Sequence, residues 1–303
     1  MCIVFFGYEL NDFGLPLVVA TNRDEFWSRP TEPMHWWANV ANENQDKQIL
    51  AGRDLEQGGT WLAIGEEEND CQERRLAIVT NYREPLSARS DRHGPLTSRG
   101  KLVTDYVATN ITTDAFVSHL EQNGAKYAGF NLLFGSRANG FFFFSNRSRD
   151  ASPCRAVPLQ PGCIFGICNG FLDDPWPKVE RGRMLFRREL EKYNATRDIT
   201  VLADSLRNVL ADQQRPPDQD LPNTGIPLCF ERALSSIFVQ GPEFDYGTRC
   251  STVICETADG NLLVDELTYR RGENPSEWLN PQEDFACIRF QLKSSLQKKQ
   301  SMG

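Results

Sequence analysis

Short apolar runs closed by turn residues recur along the chain, and they dominate its pattern. The segments "CIVFFGY" (2–8), "LPLVVAT" (15–21), "TWLAIG" (60–65), "RLAIVTN" (75–81) and "GFNLLFG" (129–135) are rich in β-branched or aromatic residues and bounded by Gly, Asn or Asp. So are "GFFFFSN" (140–146), "GCIFGICN" (162–169), "CSTVICE" (250–256), "NLLVDEL" (261–267) and "FACIRFQL" (285–292). All ten are predicted strands. Tight-turn chemistry at "NDFG" (11–14), "SRANG" (136–140) and "ADG" (258–260) makes the neighbouring strands antiparallel hairpins.

A three- and four-residue apolar period appears instead at "SRGKLVTDYVATN" (98–110), "DAFVSHLEQN" (114–123), "PKVERGRMLFRREL" (177–190) and "DITVLADSLRNVLADQ" (198–213). These predict helices, with Ser98, Asp114 and Asp198 as candidate N-caps. The helical segments fall between groups of strands. That order predicts an α+β fold, a four-layer αββα sandwich of two antiparallel sheets, rather than a doubly wound parallel sheet. No internal repeat or interdomain linker interrupts it. The stretch "DQQRPPDQDLPNTGIP" (212–227) reads as a surface loop, so residues 1–292 are expected to form a single domain, followed by a polar, disordered tail at 293–303.

Composition narrows the function classes. A chain of 303 residues with 40% hydrophobic residues can bury its own core, and a net charge of −8 lacks the cationic surplus of a nucleic-acid binder. Glu9 and Asp12 interrupt the first apolar run, no basic segment precedes it, and no stretch approaches a membrane span. This predicts a cytoplasmic chain without an integral membrane segment. Nine cysteines without a CxxC pair point to reduced thiols. Cys163 with Cys168, and Cys250 with Cys255, fit no common zinc spacing and are read as buried apolar thiols, so no metal site is expected. "GRDLEQGGT" (52–60) lacks the spacing of a phosphate loop and reads as an ordinary loop.

The candidate chemistry lies in the first hairpin. With a turn centred near residues 12–13, antiparallel partners have numbers summing to about 25, which sets Cys2 opposite Arg23. A cation beside a thiol favours the thiolate. Removal of Met1 would free an α-amino group of pKa about 7.7–8.0 to act as base, with Asp24 to orient it. Asn81, Asn169 and Arg249 each sit at the mouth of an apolar strand, where amides can serve an oxyanion and an arginine can hold developing charge. Cys2 as a plain core residue, with Arg23 and Asp24 as a surface ion pair, is the competing reading. The aromatic segments "EFWSRPTEPMHWW" (25–37) and "FFFF" (141–144) serve either as core or as a pocket wall.

The motifs "MCIVFF", "NRDEFWSRP", "AGRDLEQGGTWLAI", "TNYREP", "GFNLL", "GICNG" and "YGTRCSTV", in order over residues 2 to about 255, resemble the NRDE family. That family is similar in fold to N-terminal-nucleophile hydrolases of the choloylglycine hydrolase group. The resemblance implies that Cys2 is nucleophile and amine base, flanked by Arg23 and Asp24, with Asn81 and Asn169 as oxyanion and support groups and Arg249 as second arginine. Hydrolysis of that kind, on an amide or thioester, requires no cofactor. For animal members the resemblance instead implies a pocket for a small apolar ligand, haem or an acyl metabolite. It further implies haem trafficking, cytoplasmic and mitochondrial residence, and a role in Golgi and endoplasmic-reticulum organisation, leaving peripheral membrane association open. Nothing in the spacing itself points to haem: CxxCH is absent, and His35 beside "WW" is read as packing rather than an axial ligand.

Overall fold

The computed structural model describes residues 2–37, 48–65, 73–85, 97–172, 174–240, 245–270, 280–283 and 285–293. Its strands are β1 (Cys2–Leu10), β2 (Leu15–Phe26), β3 (Thr31–Trp37), β4 (Ile49–Asp54), β5 (Leu62–Gly65), β6 (Leu76–Asn81) and β7 (Phe130–Ser136). They continue with β8 (Gly140–Ser145), β9 (Val157–Pro158), β10 (Ile164–Ile167), β11 (Tyr246–Glu256), β12 (Leu262–Tyr269) and β13 (Phe285–Leu292). The helices are α1 (Gly100–Val107), α2 (Thr113–Asn123), α3 (Pro177–Thr196), α4 (Ile199–Leu210) and α5 (Leu228–Ala233). Two antiparallel sheets with helices packed on them give the α+β class expected. The chain groups into two compact units, Met1–Ser28 with Arg83–His93 and Gly162–Leu292, and Arg29–Tyr82 with Gly94–Pro161 and Lys293–Gly303.

The first unit carries the six-stranded sheet β10-β1-β2-β11-β12-β13. Its founding hairpin closes through a 3-10 turn at Asn11–Phe13, and Gly14 at φ 63° takes the left-handed conformation that lets the chain reverse. Strand alternation then sorts the side chains. Ile3 and Phe5 of β1, Val18 and Ala20 of β2, and Val253 and Cys255 of β11 meet Phe186 and Leu190 of α3 and Leu202, Leu206 and Leu210 of α4 in one core. Gly182 of α3 makes this approach feasible, since a Cβ there would lie 1.9 Å from Phe5 Cζ. Asp198 caps α4 as expected, accepting from the Thr200 and Val201 amides at 2.9 and 3.2 Å. The 212–227 segment is irregular apart from one 3-10 turn at Asp218–Asp220, in line with a loop.

The second unit carries the sheet β3-β4-β5-β6-β7-β8-β9. Leu102, Val103 and Tyr106 of α1 and Phe116 and Leu120 of α2 pack against Ala77, Val79, Phe130, Leu132 and Phe134. Trp37 and Phe144 belong to that core, so these members of the two aromatic segments are packing residues. Two candidate caps are corrected. Thr112, not Asp114, accepts the α2 amide of Ala115, and the first turn of α1 has no side-chain cap, Ser98 bonding Lys101 only through its carbonyl. Strands β3 and β4 were not expected. β3 holds Pro33 on a sheet edge with an irregularity between Glu32 and His35, and β4 contains Gly52, whose missing side chain admits the Trp61 ring. "GRD" of 52–54 is therefore strand, and the loop is confined to 55–60.

Every described cysteine is a free thiol; Cys168, Cys250 and Cys255 are buried, whereas Cys163 is exposed, a correction to its reading as a core residue. The tail at 294–303, His93 and Cys71 lie outside the described residues. Among the described residues no helix is long and apolar enough to cross a membrane.

Candidate active site on the first hairpin

The register of β1 on β2 is the one read from the turn: Cys2 pairs with Arg23. Opposed residues in a sheet share a face, so the thiol and the guanidinium lie on the side of the sheet away from the helices. Cys250 of β11 pairs with Arg23 from the other side, which sets the arginine between two thiols in one cross-strand row. All three are buried, at 8%, 5% and 5% exposure. Asp24 alternates to the helix side and is 1% exposed. Its Oδ1 accepts a 2.7 Å hydrogen bond from Thr248 Oγ1, the residue opposite it on β11.

Immediately after Thr248 the β2–β11 register shifts, and Arg249 is the extra residue. The irregularity turns its side chain toward the end of β2, where Nη1 donates to Phe26 O at 2.6 Å and Trp27 O at 3.2 Å. The guanidinium also lies 5.2 Å from the Trp27 ring centroid. Asn169, fully buried just past β10, accepts from the Arg83 amide at 2.7 Å through its carbonyl and from Cys168 Sγ at 3.3 Å through Oδ1. Cys168 Sγ lies 3.3 Å from Cys2 O as well, which ties Asn169 to the head of β1. Five of the six candidate residues, Cys2, Arg23, Asp24, Asn169 and Arg249, thus belong to the first unit. Asn81 ends β6 in the second unit, paired with Phe130 and half-buried.

The electrostatics correct one expectation. Burial pushes the Cys2 thiol up rather than down and the Asp24 carboxylate adds to this, while the chain's amino terminus, Arg23 and a main-chain hydrogen bond from Asp24 pull the other way. Desolvation of a thiolate in a buried row outweighs the chain's amino terminus and Arg23 together, which favours the protonated thiol. Burial also raises the Asp24 carboxyl, against the pull of the chain's amino terminus, Lys178, the Thr248 hydroxyl and Arg83. The Cys250 thiol is pushed well up by burial and by Glu266. Arg249 is lowered by its burial and by the like charge of Arg23.

Sequence reading missed Thr248, Cys168, Arg83 and Lys178. Thr248 was visible in principle: it stands one place before Arg249 in "YGTRCSTV", on the strand that faces Asp24. The other three act through contacts that only the packed helices and loops create. Among the described residues no group of three or more His, Cys, Asp or Glu could hold a metal ion. His35 bonds Pro33 O at 2.8 Å through Nδ1 on the second unit's edge strand, which suits packing.

Fold and site together define an α+β protein of two antiparallel sheets whose opening hairpin carries a buried thiol beside a guanidinium and a carboxylate. Residues 1–271 match the family described as Transport and Golgi organisation 2, and the chain belongs to that family. It is similar to the human Transport and Golgi organization protein 2 homolog, 30% identical over 280 residues, covering 88% of this chain and 92% of that protein. The bovine homolog is 29% identical over 299 residues, covering 94% and 99%. The Drosophila melanogaster Transport and Golgi organization protein 2 is 28% identical over 291 residues, covering 92% and 95%.

Proposed function

We propose that this chain handles an acyl metabolite through covalent chemistry at Cys2, as a cysteine N-terminal nucleophile acting on an amide or thioester. The observation that carries the reading is the pairing of Cys2 with Arg23 while the adjacent Asp24 is held by Thr248. With Met1 removed, the Cys2 amine takes the thiol proton, the sulfur attacks the acyl carbonyl, and the amine or thiol leaving group departs with that proton. Water then attacks the acyl-enzyme, releasing the carboxylic acid and regenerating the thiol. Asp24 holds the Cys2 ammonium, and the Asn169 amide serves the oxyanion. A raised thiol suits this scheme, because reactivity is then switched on by the amine rather than present in the unprocessed chain.

That same raised thiol favours a second reading, in which the Cys2 pocket binds without reacting. The chain is then a carrier of a small apolar ligand, haem or an acyl metabolite. Either reading places its chemistry within the Golgi organisation role that the relatives' names carry, with cytoplasmic and mitochondrial residence as the family resemblance implies. Intact-mass measurement after incubation with amide and thioester panels separates the two. An adduct on Cys2 that disappears in Cys2→Ala supports the nucleophile. Ligand retained on the wild type with no adduct from any acyl class overturns it in favour of the carrier.

A further inference from the structure

Elements other than the hairpin contribute buried charges that act on Asp24. Lys178, the second residue of α3, is 4% exposed, and its Nζ donates to Leu234 O at 2.8 Å and Ser236 O at 3.4 Å. Arg83 and Glu231 form an ion pair at 2.6 Å, both side chains almost fully buried, with the guanidinium 4.6 Å from the Trp176 ring centroid. Lys178, Arg83, Trp176 and Glu231 line one cleft. Arg83 thus has its own carboxylate, whereas among the described residues Lys178 has none in ion-pair contact and is satisfied by neutral carbonyls. A buried ammonium held only by carbonyls is costly unless a negative charge lies within reach, and Asp24 is the buried carboxylate whose ionisation it influences.

The segment that Lys178 grips leads directly to Asp24. Ser236 Oγ donates to Phe238 O at 2.6 Å, and Asn22 Nδ2 donates to Ile237 O at 3.0 Å. The next amide, Val239 N, donates to Thr248 Oγ1 at 2.8 Å, and Thr248 N returns a 2.8 Å bond to Val239 O. Because Thr248 Oγ1 accepts from Val239, its own proton is directed to Asp24 Oδ1. Among the described residues, the charged and titratable groups that neighbour or act on Asp24 include Cys2 on β1, Arg23 on β2, Cys250 on β11, Lys178 on α3 and the Arg83–Glu231 pair, together with the pull of the chain's amino terminus.

We propose that Lys178 is a positioning residue of the Cys2 site: its buried ammonium pins the 234–239 segment that aims Thr248 at Asp24, and its positive charge favours the ionised carboxylate. This rests on Asp24 being the anchor of the Cys2 amine, yet its test requires no reaction at Cys2. The full chain is labelled with 13C-carboxyl aspartate, the Asp24 resonance is assigned through Asp24→Asn, and its titration is followed by NMR. In the wild type Asp24 is expected to be ionised at neutral pH. Lys178→Met should move its midpoint upward by about one pH unit or more, and Lys192→Met, an exposed change on the same helix, should leave it in place.

An Asp24 that stays protonated at neutral pH in the wild type, or a midpoint unmoved by Lys178→Met, overturns the proposal. If Lys178→Met does not accumulate as folded protein, Lys178→Gln keeps a donor for the carbonyls without the charge and is read by the same criterion; the wild-type midpoint decides independently of either. Absence of any acyl adduct together with a shifted Asp24 midpoint would refute the nucleophile and leave the positioning role intact.

Discussion

Thr248→Val isolates the contact on which the site's charge distribution depends. The change keeps the side-chain shape and removes one hydroxyl that serves two buried partners, Asp24 Oδ1 at 2.7 Å and Val239 N at 2.8 Å. Losing a hydrogen bond to a charged group costs about 1.5–3 kcal/mol, and orphaning a buried amide about 1–3 kcal/mol. The expected loss of stability is therefore roughly 2.5–6 kcal/mol near pH 7. The Thr248 bond favours the charged form of Asp24, so its removal raises the folded-state carboxyl further above the unfolded one. The penalty is then largest where Asp24 is ionised and shrinks as pH falls, to about 1–3 kcal/mol near pH 4. Urea unfolding at both pH values measures this, with Thr248→Ser as the variant that retains the hydroxyl. An equal penalty at the two pH values, or a Ser variant as damaged as the Val one, would refute the reasoning.

Asp24→Asn should act in the opposite sense on stability. A folded carboxyl raised by burial contributes its full stability below the unfolded pKa near 3.9 and loses it as pH rises through the folded value, so the Asn chain gains on the wild type by about 1.4 kcal/mol for each unit of that displacement at neutral pH. The gain should vanish near pH 4 in denaturant titrations, and acyl capture at Cys2 should be lost. Gly182→Ala forces a methyl group against the Phe5 ring and should destabilise the chain by about 3 kcal/mol, read as a lower urea midpoint. In the chain that retains Met1, iodoacetamide at neutral pH should label exposed Cys163 and Cys229 at least about tenfold faster than buried Cys2, checked by peptide mapping.

The hairpin that founds the site was legible because local chemistry specifies it. The turn at 11–14 fixes the register, and the register fixes Cys2 against Arg23. Asp198 was legible as a cap for the same reason, since it bonds amides within three residues of itself. What the sequence concealed depends on three-dimensional packing. Arg249 was recognised, but the register shift that swings it over Trp27 has no signature in "YGTRCSTV". Nothing in the segment 177–190 marks Lys178 before α3 closes onto the 234–236 carbonyls. The direction of the Cys2 shift was misread because a neighbouring cation is visible in sequence, whereas complete desolvation of the row is not. Strands β3 and β4 escaped because an edge position tolerates Pro33 and a ring contact needs Gly52, so neither segment shows an uninterrupted apolar run.

The mature N-terminus, read by intact mass and N-terminal sequencing of protein purified from its own cells, tests the central claim most directly. The account predicts a chain that begins at Cys2 with a free amine beside Asp24. A mature chain that keeps Met1 would contradict it, because the buried thiol would then have no base of its own.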